Sequence, residues 1–392
     1  MATNTDEPQR DDDSWLYGSP TYRLALRLGL ANPTRPRRTL RILLLVLVTW
    51  VPLVLLSLAA GTALGGRVDL PLLRDPEIFI RFLFVVPLLE LAEFIVSKSI
   101  TVQVRHLVAS GLVPERELPA FDSVKNEVAR LRRSVLAEGT MIVLSFALPI
   151  VMRVFVGFDV RPSSWERLGE VITSAGWWYI LVSLPVLFFF LLRWCWVFLL
   201  WSRFLFRVSR MDLDLTPTHP DRAGGLGFIG WGLASFATIG MAVSAVISGA
   251  LAQEIAQRGS SLNDLKYHLI VFGVAAVLIQ HAPLFAFSGR LARCRFAALL
   301  DFGTLVWRHD RAFDEKWIKS ADTKQSLLGS PDVQSLADVA TAYEHVERMR
   351  LVPFDEKALA VSVVAVLVPI APLVAAQLPL AEIVGKLAEF ML

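Results

Sequence analysis

Four of the ionisable side chains inside apolar stretches of this sequence lie at a similar depth, where a charge is costly enough to indicate a functional site. Glu90 and Glu93 are three residues apart, which places both carboxylates on one face of a helix. Arg193 and His281 belong to two other apolar stretches. Counted from the predicted outer ends of these stretches, at about 1.5 Å per residue, all four lie at a depth of about 20–24 Å. This layer predicts a polar gate or a proton relay, or alternatively a buried ion pair that holds the helices in register.

A stripe of small residues follows in the fifth apolar stretch. Gly240, Ser244 and Ser248 recur every four residues, which is the spacing of one helix face. Small residues let transmembrane helices approach closely, and they also suit a helix that lines a narrow polar pathway. We therefore add Gly240 and Ser244 to the charged layer as candidate pathway or gate residues, with close packing as the alternative.

The turn before the fifth apolar stretch is a second candidate site. Backbone N–H groups at the start of a helix attract anions, and neighbouring Arg and His side chains strengthen that attraction. One hypothesis is an anion or phosphate head-group site, whose candidate residues are His219, Asp221, Arg222, Gly224 and Gly225. The commoner alternative is that Asp221 caps the helix and the two glycines allow close packing. A further hypothesis is a divalent ion held by His219 with Asp212, Asp214 and Asp221.

Sequence signatures of enzymes are missing from the chain. There is no HExxH, GxSxG or Walker motif and no Cys/His ligand cluster, so we assign no catalytic residue and no metal site, and the sequence leaves the cofactor open. Cys195 and Cys294 are far apart and do not indicate a disulfide framework. The net charge of +3 is too small to indicate nucleic acid binding. The segment 307–317, rich in Trp, Arg, His and Asp, is typical of a solvated helix near the membrane, or alternatively contacts phosphate or lipid head groups.

These residues belong to a strongly apolar chain. Of its 392 residues, 54% are hydrophobic and 19% are charged, with a mean hydropathy of +0.53, whereas soluble domains have about 45–50% and about 25%. This composition excludes a disordered chain, a secreted disulfide scaffold and most cytosolic enzymes. Apolar blocks long enough to cross a hydrocarbon core about 30 Å thick occur at 42–64, 77–97, 140–158, 177–202, 226–250, 268–288 and 358–379.

The distribution of Lys and Arg predicts the orientation, because cytoplasmic loops of membrane proteins are enriched in both. The N-terminal segment and three long connections carry 29 of them, and the opposite loops and the C-terminal tail carry 7. We therefore predict a cytoplasmic N-terminus and an external C-terminus. The predicted organisation has six parts. They are a basic cytoplasmic segment (1–41), spans one and two (42–97), a cytoplasmic helical insertion (98–139), spans three to six (140–288), a second cytoplasmic helical insertion (289–357), and span seven with an outer amphipathic tail (358–392).

Both predicted insertions contain helix signals. Apolar residues recur at spacings of three and four on one stripe, comprising Phe121, Val124, Val128, Leu131 and Val135. This stripe packs on the protein itself, on a neighbouring subunit or on the membrane. In the second insertion, Ser330 followed by Pro331 predicts the N-cap and first residue of a helix.

Three stretches together resemble a widespread group of bacterial polytopic membrane proteins of uncharacterised function. They are Leu215–Phe228 (containing HPDRAGGLGF), Leu327–Asp338 (LLGSPDVQSLAD) and Met349–Phe354. The resemblance covers most of the chain from the first span onward. It implies a multi-pass protein of the bacterial inner membrane, and it implies no activity or residue role.

The sequence thus predicts an all-α integral membrane protein, a bundle of about seven transmembrane helices with cytoplasmic helical insertions. The leading hypothesis for its function is a channel or transporter for an ion or small solute, surrounded by membrane lipid and assembled as a homo-oligomer. The alternative is a membrane enzyme or binding protein with a cytoplasmic phosphate or lipid head-group site at the His219–Arg222 turn. A signalling or scaffold protein that binds a cytoplasmic partner is a third hypothesis.

Overall fold

The computed structural model of the chain describes residues 38–155, 163–258, 262–319 and 329–377, with the single positions 20 and 327. About 79% of the described residues are helical. The extended structure within these ranges is one small antiparallel sheet, with strands in the order β1 (Ser163–Ser164), β2 (Arg167–Leu168) and β3 (Val171–Ile172). The predicted helical architecture is confirmed. Most of the basic segment 1–41 and the predicted amphipathic tail lie outside the described residues.

The connections between the helices range from the single residue Trp50 to the 18 residues 209–226. In chain order the α-helices of the described ranges are α1 (Arg38–Thr49), α2 (Val51–Ala59), α3 (Pro76–Phe79), α4 (Val86–Ala109), α5 (Leu118–Arg132), α6 (Val135–Phe155), α7 (Ser174–Trp178), α8 (Leu184–Val208), α9 (Gly227–Leu233), α10 (Ala237–Arg258), α11 (Leu262–His281), α12 (Ser288–Phe313), α13 (Pro331–Glu347), α14 (Glu356–Leu367) and α15 (Ala371–Gln377). Wider π-helical turns are Ile80–Val85, Tyr179–Ser183 and Asp314–Lys319, and 3₁₀ turns are Leu72–Arg74, Glu115–Glu117, Ala234–Phe236 and Ala282–Phe287.

Five helical stretches among the described residues are long and apolar enough to cross a membrane, which fits a multi-pass membrane protein. They are Arg38–Ala59, Val135–Met152, Ser174–Val208, Gly227–Ile255 and Leu265–Lys319, and each overlaps a block predicted from the sequence. Their outer faces are apolar, since Leu43, Leu55 and Val143 are 60–68% exposed. Such a surface is stable in lipid rather than in water.

The predicted blocks 77–97 and 358–379 do not meet the same criterion. The first lies in the continuous helical run from α3 to α4, in which every stretch of 18 residues carries at least three charged side chains. The second is divided between α14 and α15, because Pro369 has no N–H to continue the helix. Five spans are therefore supported by length and composition, and a total of seven remains a proposal.

Two wide helical turns meet inside the bundle. Each precedes a proline, Pro87 in α4 and Pro185 in α8. A proline ring clashes with the carbonyl four residues before it, so the preceding turn widens. The guanidinium of Arg81 in one turn donates a hydrogen bond to the Tyr179 hydroxyl in the other, and Phe82 packs edge-on against that ring at 6.1 Å. The two prolines thus deform neighbouring helices at the same level.

The amphipathic stripe of α5 packs on the protein's own core. Phe121, Val124 and Val128 are buried, and the Phe121 ring lies 5.7 Å from the ring of Phe204 in α8. For these three residues the first of the predicted alternatives is the one observed, whereas Val135, at the start of α6, is 68% exposed. In the second insertion the predicted N-cap is confirmed, since the Ser330 hydroxyl accepts a hydrogen bond from the Asp332 N–H at 3.2 Å.

Candidate functional site

Glu90 and Glu93 on α4 form the centre of a buried ion cluster. Their exposed fractions are only 4% and 7%. Arg41 of α1 forms ion pairs with both carboxylates, with a distance of 2.8 Å from its Nη2 to Glu93 Oε2. Arg193 of α8 approaches Glu93 Oε1 from the other side at 3.3 Å. Glu93 therefore links α1, α4 and α8.

The cluster agrees with the predicted layer in three of its four members. Glu90, Glu93 and Arg193 come together, as their equal depths predict. His281 does not join them, because its Nδ1 lies 2.9 Å from the Val277 carbonyl of its own helix, and among the described residues no hydrogen bond or ion pair connects it to the cluster. The sequence interpretation missed Arg41, which it counted among the basic residues of the cytoplasmic leader.

Charge balance explains how this cluster is tolerated in an apolar bundle. Two carboxylates face two guanidinium groups, so the formal charge of the four side chains cancels.

Gly240 and Ser244 lie where α10 packs against α14. The Ser244 hydroxyl donates a hydrogen bond to the Val366 carbonyl at 2.6 Å, and a Cβ at Gly240 would meet the Val366 side chain at 3.6 Å. The Val366 carbonyl is available because the helix is interrupted at Pro369, and Ser side chains commonly satisfy carbonyls freed in this way. The small-residue stripe therefore forms a helix contact, and its role in a pathway stays a prediction.

The carboxylate of Asp221 accepts hydrogen bonds from backbone N–H groups of the turn before α9. Its Oδ1 accepts hydrogen bonds from Ala223 at 2.8 Å and Gly225 at 3.1 Å. Its Oδ2 accepts one from Gly227, the first residue of α9, at 2.8 Å. Burial opposes ionisation of Asp221, but these N–H donors and the adjacent His219 hold its pKa below the ordinary value. The Asp221 carboxylate thus binds the backbone N–H groups that the sequence predicts as the site of an external anion.

Replacing Asp221 by asparagine should lower the stability of the protein at neutral pH by about 1–2 kcal/mol, because a charged acceptor of three N–H groups is lost. The folded pKa is depressed, so the stabilisation is fully present above the ordinary value of 3.8 and is lost as the pH falls through the folded value. Thermal unfolding in detergent from about pH 7 down to about pH 2 measures this. Wild type and variant should converge at the acidic end; a difference that does not change with pH would contradict the assignment.

The other residues proposed for this turn have structural contacts. Gly224 and Gly225 have φ angles of +65° and +96°, which glycine adopts without strain. Arg222 also has a positive φ, and its carbonyl accepts a hydrogen bond from the Arg350 N–H at 2.7 Å. Asp212 binds Arg116 and Arg290. Among the described residues, no group of three or more His, Cys, Asp or Glu side chains is placed to hold a metal ion.

The segment 307–317 does not share a site with this turn. Leu291 of α12 lies beside Gly224, and Trp307 follows 16 residues later, about 24 Å along the helix axis. Polar groups of the segment contact α13 instead, since Lys316 and Trp317 both hydrogen-bond to Asp332. The two parts of the predicted head-group site are therefore separate.

Two of the three stretches that carry the family resemblance meet in the structure. Arg222 bonds to Arg350, and Gly230 lies against the backbone of Pro353. The third stretch begins α13, away from this contact. Comparison of the chain with protein-family models, with curated proteins and with solved structures finds no match.

Proposed function

We propose that the protein is a membrane channel or transporter for an ion or small solute. The observation that carries this proposal is the pair of buried carboxylates, Glu90 and Glu93, inside an apolar helix bundle. Ionisable residues in such positions are rare, and they commonly mark ion or proton pathways. In this proposal Glu90 is the exchangeable group, because Glu93 is fixed by two arginines whereas Glu90 contacts Arg41 alone among the ion pairs of the described residues.

Irregular helical turns support the same proposal. The π-helical turns Ile80–Val85 and Tyr179–Ser183 and the 3₁₀ turn Ala234–Phe236 lie inside three otherwise continuous helical runs of the bundle. Such turns release backbone carbonyls from regular helix bonding, and they occur frequently at transport and other functional sites. The proposal includes a bacterial inner-membrane location, seven spans and a cytoplasmic N-terminus, which the charge distribution and the resemblance support.

Replacing Glu90 by glutamine should reduce flux at least tenfold and leave the folded yield unchanged, because Arg41 keeps its ion pair with Glu93. The measurement uses purified protein in proteoliposomes with a KCl gradient and an internal pH dye, together with current across a planar bilayer in asymmetric KCl. Glu115→Gln, on an exposed turn, is the matched control and should behave as wild type.

Two outcomes would count against this proposal. If the wild-type protein transports neither K⁺ nor Cl⁻ nor protons, the proposal that it conducts one of these simple ions is wrong. A Glu90→Gln variant with wild-type flux would remove the cluster from the pathway. The alternative head-group function at the His219–Arg222 turn is less favoured, because Asp221 already occupies its N–H groups.

A further inference from the structure

A groove of about 1080 Å³ lies between the C-terminal end of α4, helix α5 and the short connection to α6. Its floor is apolar and includes Val104, Phe121 and Val128. Its rim is formed by side chains from all three segments. The groove is separate from the ion cluster, since Glu93 precedes Val104 by 11 residues, about 16 Å along α4.

The rim of this groove is strongly basic. Its positively charged side chains are Arg105, Lys125, Arg130, Arg132 and Arg133. None of the described residues that line the groove is acidic. The nearby Glu127 is directed to α8, where it forms ion pairs with Arg203 and Arg207, and Asp122 forms an ion pair with Lys125 of the rim at 2.9 Å. Such a concentration of one sign of charge in a concave site attracts anions.

The groove lies next to the exposed apolar surface of α6. Arg132 and Arg133 are separated only by Ser134 from α6, whose stretch Val135–Met152 is apolar enough to cross a membrane. The first apolar side chains of that helix, Val135 and Leu136, are 68% and 81% exposed. A ligand in the groove therefore has basic groups at one end and an apolar helix surface beside it.

We propose that this groove binds the phosphate group of an anionic ligand; where that ligand is a phospholipid, its apolar part lies along the start of α6. Guanidinium groups match phosphate oxygens in charge and geometry, and basic clusters next to a transmembrane helix attract anionic lipids. The phosphate belongs either to a membrane phospholipid or to a free soluble phosphate. This inference does not depend on the transport function, because binding is measured without flux.

The test measures binding of three probes to the full chain in neutral detergent by native mass spectrometry. The probes are phosphatidylglycerol, phosphatidylcholine and inorganic phosphate. Wild type should bind phosphatidylglycerol more tightly than zwitterionic phosphatidylcholine. Arg130→Gln/Arg133→Gln should weaken phosphatidylglycerol binding about thirtyfold, the loss expected when two basic residues next to a transmembrane helix are removed. Both side chains are exposed, so folding is not at risk.

The matched control is Arg293→Gln/Arg308→Gln, which removes the same charge from exposed positions of α12 and should bind as wild type. Inorganic phosphate that displaces the lipid supports the proposal and identifies phosphate itself as the ligand. Failure of phosphate to displace it also supports the proposal and identifies the phospholipid. Equal affinity for the two lipids, or equal weakening in the groove and control variants, overturns it.

Discussion

Replacing Glu93 by alanine should destabilise the protein by about 3–5 kcal/mol, the cost of leaving a buried charge without its partner. Glu93 forms an ion pair with Arg193 and, together with Glu90, an ion pair with Arg41. Removal of the Glu93 carboxylate therefore leaves the Arg193 guanidinium without this ion pair in a low-dielectric bundle. The side chains of Glu93 and Arg193 are only 9% and 16% exposed, so water cannot replace the lost contact. Unfolding of the purified protein in detergent, by heat or denaturant, measures the change.

The double variant Glu93→Ala/Arg193→Met separates an ion-pair effect from a simple packing defect. Removal of both charges takes away the unpaired guanidinium, so the double variant should recover much of the stability lost in Glu93→Ala. Glu90→Gln is the milder control, because Glu93 still holds both arginines. The single variant Arg193→Met completes the comparison. If the stability losses of Glu93→Ala and Arg193→Met simply add in the double variant, the two side chains are not coupled and the cluster does not hold the helices together.

Replacing Gly230 by alanine should cost about 3 kcal/mol or more, because the new methyl group has no space. A Cβ at this position would lie 2.3 Å from the Pro353 carbonyl oxygen and 3.0 Å from the Phe354 Cα. Both are backbone atoms, so rotation of a side chain cannot relieve the clash. Helix α9 or the segment before α14 must move, and we expect a sharp drop in folded yield, measured by size-exclusion chromatography of detergent extracts.

Gly289→Ala is the matched control for this clash. Gly289 lies in the first turn of α12, and a Cβ there meets nothing within 4 Å. Alanine is the better helix former by about 1 kcal/mol, so this variant should be neutral or slightly stabilised. Equal losses in both variants would mean that helix propensity or insertion, and not contact with Pro353, determines the effect.

The contact at Gly230 belongs to a packed unit that also includes the turn around Asp221. The segment 349–355 passes over the start of α9, bonds to the Arg222 carbonyl and leads into α14. Helix α14 then packs against α10, where Ser244 bonds to Val366. The turn, α9 and α14 are therefore one packed unit, and Asp221 stabilises it through the N–H groups that begin α9.

The helices themselves could be predicted from the sequence. Apolar blocks about 20 residues long form helices in lipid because every backbone polar group must be satisfied within the segment. For this reason five predicted blocks coincide with helices long enough to cross a membrane. Local signals were equally informative at Ser330, whose side chain caps α13, and on the apolar stripe of α5, since both depend on residues within a few positions of one another.

The candidate sites depended on the tertiary structure. Counting residues from the end of a span gives depth but not rotation, so it grouped His281 with Glu93, whereas the observed partners of Glu93 are Arg41 and Arg193. Rotation is determined by side-chain packing between helices, which no single segment contains. In the same way, the basic groove combines three segments that are separated along the chain, and only their packing brings their charges together. The sequence by itself determined which segments are helical; the tertiary structure decided which charges meet, because that depends on contacts between segments distant in sequence.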